Sequence, residues 1–279
     1  MSLLLNLDDG TLLLSGPDIE KIFKSFHHLA SLDPTITGWY VRLKVVRCFR
    51  RPLPAAQKIL GLILSNEHGM MIEAVIGKKF SAYYDVVLEQ GDWVTIMNFG
   101  VILNSELIRA TDHKFKTVFL ESTVLRPALG IPANPVSSLV SFSDIMVDKV
   151  DTSVLVGVVG AIHEVGDLEN VSRNRHNIDG LRLTFKLKDR DGLLLECVAT
   201  QCEALDFERN YRQYTGVVVV AVLGWWKVDR FFDGPRNLRL CTHGPVSTVF
   251  PDPNILEALE IEEMVARNVE NGGMNATTV

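Results

Sequence analysis

The sequence predicts an all-β protein with short helices, folded as two similar five-stranded barrels in tandem. Strand-length runs rich in Val, Ile, Leu and Phe recur with polar alternation between Gly, Asn, Asp and Pro. Long helical periodicity is scarce. The same succession of runs returns after about 120 residues, the sign of an internal repeat. At 279 residues, with 47% hydrophobic and 22% charged side chains, the chain can bury two cores.

The first series opens at residues 39–50, where Val41, Leu43 and Val45 alternate with Arg42 and Lys44, so one strand face is buried and the other basic. Residues 59–65 and 70–76 flank Asn66-Glu67-His68-Gly69, a hairpin with glycine where a positive φ is needed. Residues 78–88 place Phe80, Tyr83, Tyr84 and Val87 at helical spacing, and residues 93–101 and 116–124 complete the series as two strands. The second series runs through 154–165, 181–188, the loop Asp189-Arg190-Asp191-Gly192, 193–200, a helix over 202–213, then 217–228 and 238–242. Gly69 and Gly192 stand 123 residues apart, as do Met97 and Val220, while the first strands are offset by only about 115, leaving a longer first connection in the second copy. A β-β-β-α-β-β order given twice is the order of two OB barrels.

These runs divide the chain into an N-terminal extension (1–35), a first OB domain (36–126), a Pro-containing linker (127–141), a second OB domain (142–253) and an acidic C-terminal helix and tail (254–279). The tail helix, with Ile255, Leu256, Leu259, Ile261, Met264 and Val265 among glutamates, is expected to pack on the second barrel, with a partner-binding helix as the alternative; residues 272–279 are expected to be disordered. Net charge is −6, but residues 36–126 carry twelve Lys and Arg against eight Asp and Glu, a balance of +4 flanked by acidic ends. The N-terminus lacks a basic n-region and runs into Asp8 and Asp9, unlike a secretory signal. The longest apolar run, 217–226, is half the ~20 residues of a membrane-spanning helix. A soluble, non-secreted protein that engages no membrane is expected. The four cysteines, Cys48, Cys197, Cys202 and Cys241, form no Cys-x-x-Cys pair and read as buried free thiols rather than a metal site.

Several stretches, in order, resemble plant replication protein A large-subunit-like proteins. They are Leu29-Ala30-Ser31-Leu32-Asp33-Pro34 with residues 39–45, Gly69 to Ala74, Gly91-Asp92-Trp93, Asn98-Phe99 and, most specifically, residues 109–124. Phe142-Ser143-Asp144-Ile145, residues 189–192 and the helix containing Glu203 and Ala204 continue it over the second copy, so that residues 29–250 are covered. The resemblance implies single-stranded nucleic-acid binding, DNA above RNA, in replication, repair or recombination, a nuclear location, and replication protein A-type subunits or another protein as partner through the second OB domain or the C-terminal helix. In that family, stacking aromatics follow the third strand and occupy the loop before the last; here those places hold Gly77 and Ile108. The second copy has Ala199-Thr200-Gln201 where the family has a Leu-Trp-Gly-like step, and no third, zinc-containing domain is recognisable.

Single-strand binding by an OB barrel needs cations for phosphates and flat side chains for bases. The candidates are Arg42, Lys44 and Arg47 on one strand face, Arg50 beyond them with Arg51, and Arg109, Lys114 and Lys116 near the last strand. From the second barrel come Arg173, Arg175 and Arg182, with His176, around the longer first loop, and Phe231 and Phe232 in the loop 229–234. Solvated strand faces and loops are the competing explanation for each cation. Trp39, Trp93, Trp225 and Trp226 belong to strands and read as core or half-buried; adjacent Trp225 and Trp226 point to opposite faces, so at most one is in the core and the other can cover a helix, meet the neighbouring barrel or touch a base. No phosphate-cradling glycine loop, Gly-x-Ser-x-Gly elbow or His-Glu-x-x-His motif is present, so neither catalysis nor a cofactor is expected. The runner-up function is an OB-fold protein-interaction scaffold that has lost most nucleic-acid affinity.

Overall fold

A computed structural model of the chain describes residues 26–53, 57–131, 139–171, 178–211, 213, 218–230, 238–251 and 253–273. The first unit contains β1 (Tyr40–Leu53), β2 (Gln57–Ser65), β3 (Met71–Ile76), helix α1 (Lys78–Val87), β4 (Trp93–Met97), β5 (Gly100–Leu103), β6 (Phe115–Val118) and β7 (Val124–Pro127). The second contains helix α2 (Phe142–Met146), β8 (Val156–His163), β9 (Glu169–Asn170), β10 (Leu181–Lys188) and β11 (Leu194–Thr200). Helix α3 (Gln201–Tyr211), β12 (Val220–Arg230), β13 (Leu238–Cys241), β14 (Thr248–Pro251) and helix α4 (Leu256–Gly273) complete it.

Both units have OB topology. In the second, β8–β10–β11–β13–β12 pair in a closed ring, with β11 and β13 parallel. In the first, the sheet order is β5-β6-β3-β2-β1-β4-β7, again with one parallel pair, β3 with β6. Its two halves join through the chain at Asn98, whose φ of 57° bends the expected single strand 93–101 into β4 and β5. The second unit solves the same corner with a bulge: Trp225 has a φ of 58° and β12 continues unbroken through it. The expected strand 116–124 likewise divides, β6 pairing with β3 and β5 and β7 with β4. Strands β9 and β14 and helix α2 are additions to the expected order.

The repeat is visible at the hairpins. Asn66 Oδ1 accepts from the backbone N–H of His68 at 3.0 Å and of Met70 at 2.9 Å, and Gly69 takes a φ of 82°. Asp189 Oδ1, 123 positions later, accepts from Asp191 and Leu193 at 3.0 and 2.8 Å, and Gly192 also has a φ of 82°. A side-chain acceptor stands in for the missing ladder bonds, and glycine allows the left-handed corner.

Each barrel has its own core. Val41, Leu43, Val45, Leu60, Leu62, Leu64, Ile72 and Ile96 fill the first. Trp226 lies at the centre of the second with Phe185, stacked on Phe207 at 4.4 Å; its indole N–H donates to the Thr248 carbonyl at 3.1 Å. Helix α2 seals this barrel with Phe142 and Ile145; Ser141 caps it by accepting from Asp144 N–H, and Arg230 donates to the Ile145 carbonyl at the other end. Helix α4 lays Ala258 and Ile261 on Ala161 and Val220, as expected of a packed helix, and Arg190 of the 189–192 hairpin pairs with its Glu260 at 2.6 Å. Residues 274–279 of the tail expected to be disordered lie outside the described residues; Gly272 and Gly273 still belong to α4. Cys197 is buried, Cys48 and Cys241 are half-buried, and Cys202 departs from expectation by being exposed at the start of α3. No helix among the described residues is long and apolar enough to cross a membrane.

Gly160 in β8 is a contact glycine. A Cβ there meets Leu187 Cγ at 2.7 Å and the Lys188 carbonyl at 2.8 Å. Because a backbone atom cannot step aside, Gly160→Ala is expected to lower unfolding free energy by about 1–3 kcal/mol in urea titrations, the range for overpacked cores; an unchanged midpoint overturns this.

Candidate nucleic-acid interface

The first strand decides where its cations go. Up to Val45 the alternation holds, with Val41, Leu43 and Val45 inside and Arg42 and Lys44 outside. The register with β2 then slips, since Val45 faces Leu64 but Arg47 faces Ile63, leaving Val46 as an extra residue. Without this bulge an odd-numbered Arg47 would enter the barrel. With it, Val46, Arg47 and Phe49 all turn toward the second unit, whereas Cys48 packs on the first core.

That contact is a third apolar cluster, shared between the barrels. Phe49, Ile63 and Ala110 meet Leu155, Trp225 and Val246, and Ile108 packs at its edge. Gly61 makes room, for a Cβ there falls 2.4 Å from the Phe49 ring. Trp225 is thus the tryptophan that meets the neighbouring barrel, opposite its neighbour Trp226 in the core. Arg47 runs along the seam, its Nη2 donating to the Pro245 carbonyl at 3.1 Å and the Ser247 carbonyl at 3.5 Å, and its Nε to the Val246 carbonyl at 3.4 Å. Burial lowers its pKa, with the Glu203 carboxylate pulling the other way; the guanidinium stays protonated. Arg109 makes a rung between the units, donating its N–H to Ser153 at 2.8 Å and accepting from Leu155 N–H at 2.9 Å, with its guanidinium 3.5 Å from Asp151.

Behind the seam lies a buried charge network. Glu73 is 0% exposed, its carboxylate 2.7 Å from Arg51, and neither oxygen accepts an aligned hydrogen bond from the described residues. Arg51 also pairs with Glu106 at 2.9 Å, and Lys116 donates to the same Glu106 oxygen at 3.0 Å. Burial raises the Glu73 carboxyl above its ordinary 4.5 despite Arg51. Glu106 is pushed up by burial too, but the hydrogen bonds from Arg51 and Lys116 outweigh that and hold it below 4.5. His243 is lowered by burial, with Arg51 and Lys227 adding to the effect.

The predicted cations therefore separate into groups. Arg47 and Arg109 hold the two units together, which corrects their placement in an open groove; the cause is the bulge for one and the rung for the other. Lys116 serves the Glu106 network. Arg50 is exposed but paired with Asp85 of α1 at 2.5 Å. Arg182 is half-buried on β10 between Thr200 and Glu169. Arg173, Arg175, Phe231 and Phe232 lie outside the described residues.

Arg42, Lys44 and Lys114 face outward, in the company of aromatic side chains that sequence reasoning missed. The Arg42 guanidinium lies 5.0 Å from the Phe26 ring centroid, Phe26 is 4.6 Å from Tyr40, and Lys114 Nζ lies 4.8 Å from the Phe115 centroid. His113 ties these together, since its ring nitrogens lie 3.1 Å from the Leu29 carbonyl and 3.0 Å from the Phe115 carbonyl. The segment before β1 is thereby fixed against the loop between β5 and β6. Phe26 fell within a predicted extension, where no strand alternation marks a residue as structured.

Residues 30–148 match the family model described as domain of unknown function DUF223. No curated protein matches the sequence. Among solved structures, a chain of a replication protein A heterotrimer bound to single-stranded DNA superposes with a TM-score of 0.60 at 15% identity over 90% of this chain. The tandem OB fold is replication protein A-like. The match takes in 56% of that replication protein A chain, so this protein spans little more than half its length. DNA-binding domain A of S. cerevisiae replication protein A aligns at 12% identity over 38% of this chain and 96% of its own, with a TM-score of 0.32. The HINa domain of Ifi202 in complex with double-stranded DNA aligns at 13% identity over 77% of this chain and 97% of its own, with a TM-score of 0.45.

Two outcomes are expected at the seam. Arg47→Ala leaves three carbonyls short of a charged donor and is expected to cost about 2 kcal/mol in chemical denaturation, within the range for hydrogen bonds to charged groups. A variant as stable as the parent overturns the structural role. For Glu73, a folded pKa above the unfolded value means protons are taken up on folding, so its contribution improves as pH falls from neutrality toward 4.5 and is complete below that. The melting temperature of the parent is thus expected to rise relative to Glu73→Gln between pH 7.5 and 5, a comparison in which the opposite contribution of His243 cancels. A difference independent of pH overturns it.

Proposed function

We propose that this chain binds single-stranded nucleic acid, with DNA as its substrate, through the outward face of the first barrel and without catalysis. The carrying observation is the contact of a cation with flat rings on the outward side of β1, Arg42 with Phe26 and Tyr40, beside Lys44, with Lys114 exposed in the loop that His113 joins to the Leu29 carbonyl. Cations provide the phosphate contacts that make binding salt-dependent, and rings provide sequence-tolerant stacking at ~1–3 kcal/mol per base. The replication protein A-like fold supports this reading, and a role in replication, repair or recombination in the nucleus follows as its finer form. Binding is expected to be modest, because Arg47, Arg109 and Lys116 are engaged within the protein.

A scaffold function has one observation in its favour. Helix α1 buries none of its residues and exposes Tyr83, Val86 and Val87. A protein partner would dock on the exposed Tyr83, Val86 and Val87 of that helix.

The test is fluorescence anisotropy of a labelled ~30-nucleotide single strand, long enough for two OB sites of ~4–16 nucleotides, with a duplex competitor. Saturable, single-strand-selective binding is expected. Replacing Arg42, Lys44 and Lys114 by alanine should reduce the slope of log K against log salt by about 2, at ~0.7 per lost contact. Absence of binding at low salt overturns the reading.

A further inference from the structure

The face assigned to nucleic acid contains a cavity of about 270 Å³ beside β1, lined by Phe26, His28, Leu29, Arg42, Asn66 and Glu67 among others. It joins the segment before β1 to the β2–β3 hairpin, and it coincides with neither place where stacking aromatics were expected. Its volume falls just under the ~300 Å³ at which pockets for drug-sized ligands begin, so it suits a smaller flat group. Its walls are of two kinds. Phe26 and Arg42 offer a ring and a planar guanidinium already in contact at 5.0 Å. Glu67, from the hairpin, offers a carboxylate, which accepts hydrogen bonds and repels phosphate.

We infer that this cavity is a subsite for one nucleobase of the bound strand, favouring bases with an exocyclic amino group. The inference rests on the single-strand binding proposed above and adds where a base is held and how it is selected. Aromatic rings and arginine planes stack on the face of any base. A carboxylate distinguishes edges instead, accepting from the amino group of cytosine, as acidic side chains do in base readout. Thymine carries no amino group. The hairpin is fixed well enough to present an acceptor, because Asn66 Oδ1 takes the His68 and Met70 N–H groups and Gly69 closes the turn. The opposite wall is fixed by the bond from His113 to the Leu29 carbonyl and by the paired contacts of His27, whose Nδ1 accepts from Tyr40 N–H at 3.0 Å. Two rigid walls of complementary chemistry make a base pocket rather than a phosphate site.

The experiment compares oligo(dC) and oligo(dT) of equal length in anisotropy titrations with the full chain. The parent is expected to prefer oligo(dC) several-fold. Phe26→Leu keeps apolar volume but removes the flat face; it should lose about tenfold in affinity for both oligomers at unchanged salt slope, with its melting temperature preserved, whereas Phe26→Tyr should bind like the parent. Glu67→Ala removes an anion, so affinity for oligo(dT) should rise while the preference for oligo(dC) disappears. Parent binding without preference, or with Phe26→Leu and Glu67→Ala indistinguishable from the parent, overturns the subsite and leaves single-strand binding standing. A parent that binds neither oligomer overturns both.

Discussion

The extra residue at Val46 is the constraint on which the rest of the first barrel depends. A strand of fourteen residues, β1 forms the barrel wall over its first half and the seam with the second barrel over its second. Strict alternation serves only one of these tasks. By slipping the register once, the bulge sends Arg47 and Phe49 to the seam and keeps Cys48 against the core. Phe49 needs the bare backbone of Gly61, and Trp225 needs a left-handed φ beside the core residue Trp226. The seam thus draws on local irregularities in both units. Its apolar centre is continuous with hydrogen bonds from Arg47 and Arg109, so separating the units exposes Phe49, Ile63, Leu155 and Trp225 together with unsatisfied carbonyls.

Most of the architecture was legible because it follows from period and punctuation. The buried Val41-Leu43-Val45 set, the Gly69 and Gly192 hairpins and the helix after each third strand are all local signals, and the structure realises each of them. The offset of 123 residues holds at the hairpins and helix starts, but the corners at Asn98 and Trp225 stand 127 apart, so Met97 and Val220 are not equivalent. Strand breaks were not legible. Asn98 with a positive φ is one residue in an apolar run, and nothing in its neighbours distinguishes a bend from a continuous strand. The candidate site was half legible. Composition identified a basic segment, yet a charge count does not say whether a guanidinium faces water, another barrel or a buried carboxylate. Arg42 and Arg47 look alike in sequence; a single inserted residue puts them on surfaces with different purposes. Phe26 escaped notice for the converse reason, since its fixed position comes from His113, more than eighty residues away, bonding to Leu29.

This division of labour changes what the positive balance of the first domain means. Part of it neutralises the protein's own buried acids: Arg51 and Lys116 compensate Glu73 and Glu106 behind the seam. A buried carboxylate facing arginine without aligned hydrogen bonds is no strong source of stability, because its desolvation offsets most of the attraction. All four groups belong to the first unit, so their effect is on the specificity of that barrel's own fold, since any other arrangement of its strands leaves one of these charges alone.

With three predicted phosphate ligands committed inside the fold, the outward face has fewer cations than the sequence suggested and more rings. The balance of forces shifts accordingly. Phosphate contacts weaken together as salt rises, whereas stacking does not release counterions and persists. On the proposed reading, a face made of Arg42, Lys44 and Lys114 with Phe26 and Tyr40 would keep a larger fraction of its affinity at physiological salt than one built from eight cations. Losing aromatics from the two family positions therefore does not by itself remove base contact. The rings have a different origin, Phe26 in the segment before the first strand and Tyr40 at the start of β1, and the contact of His113 with the Leu29 carbonyl holds that segment on the barrel.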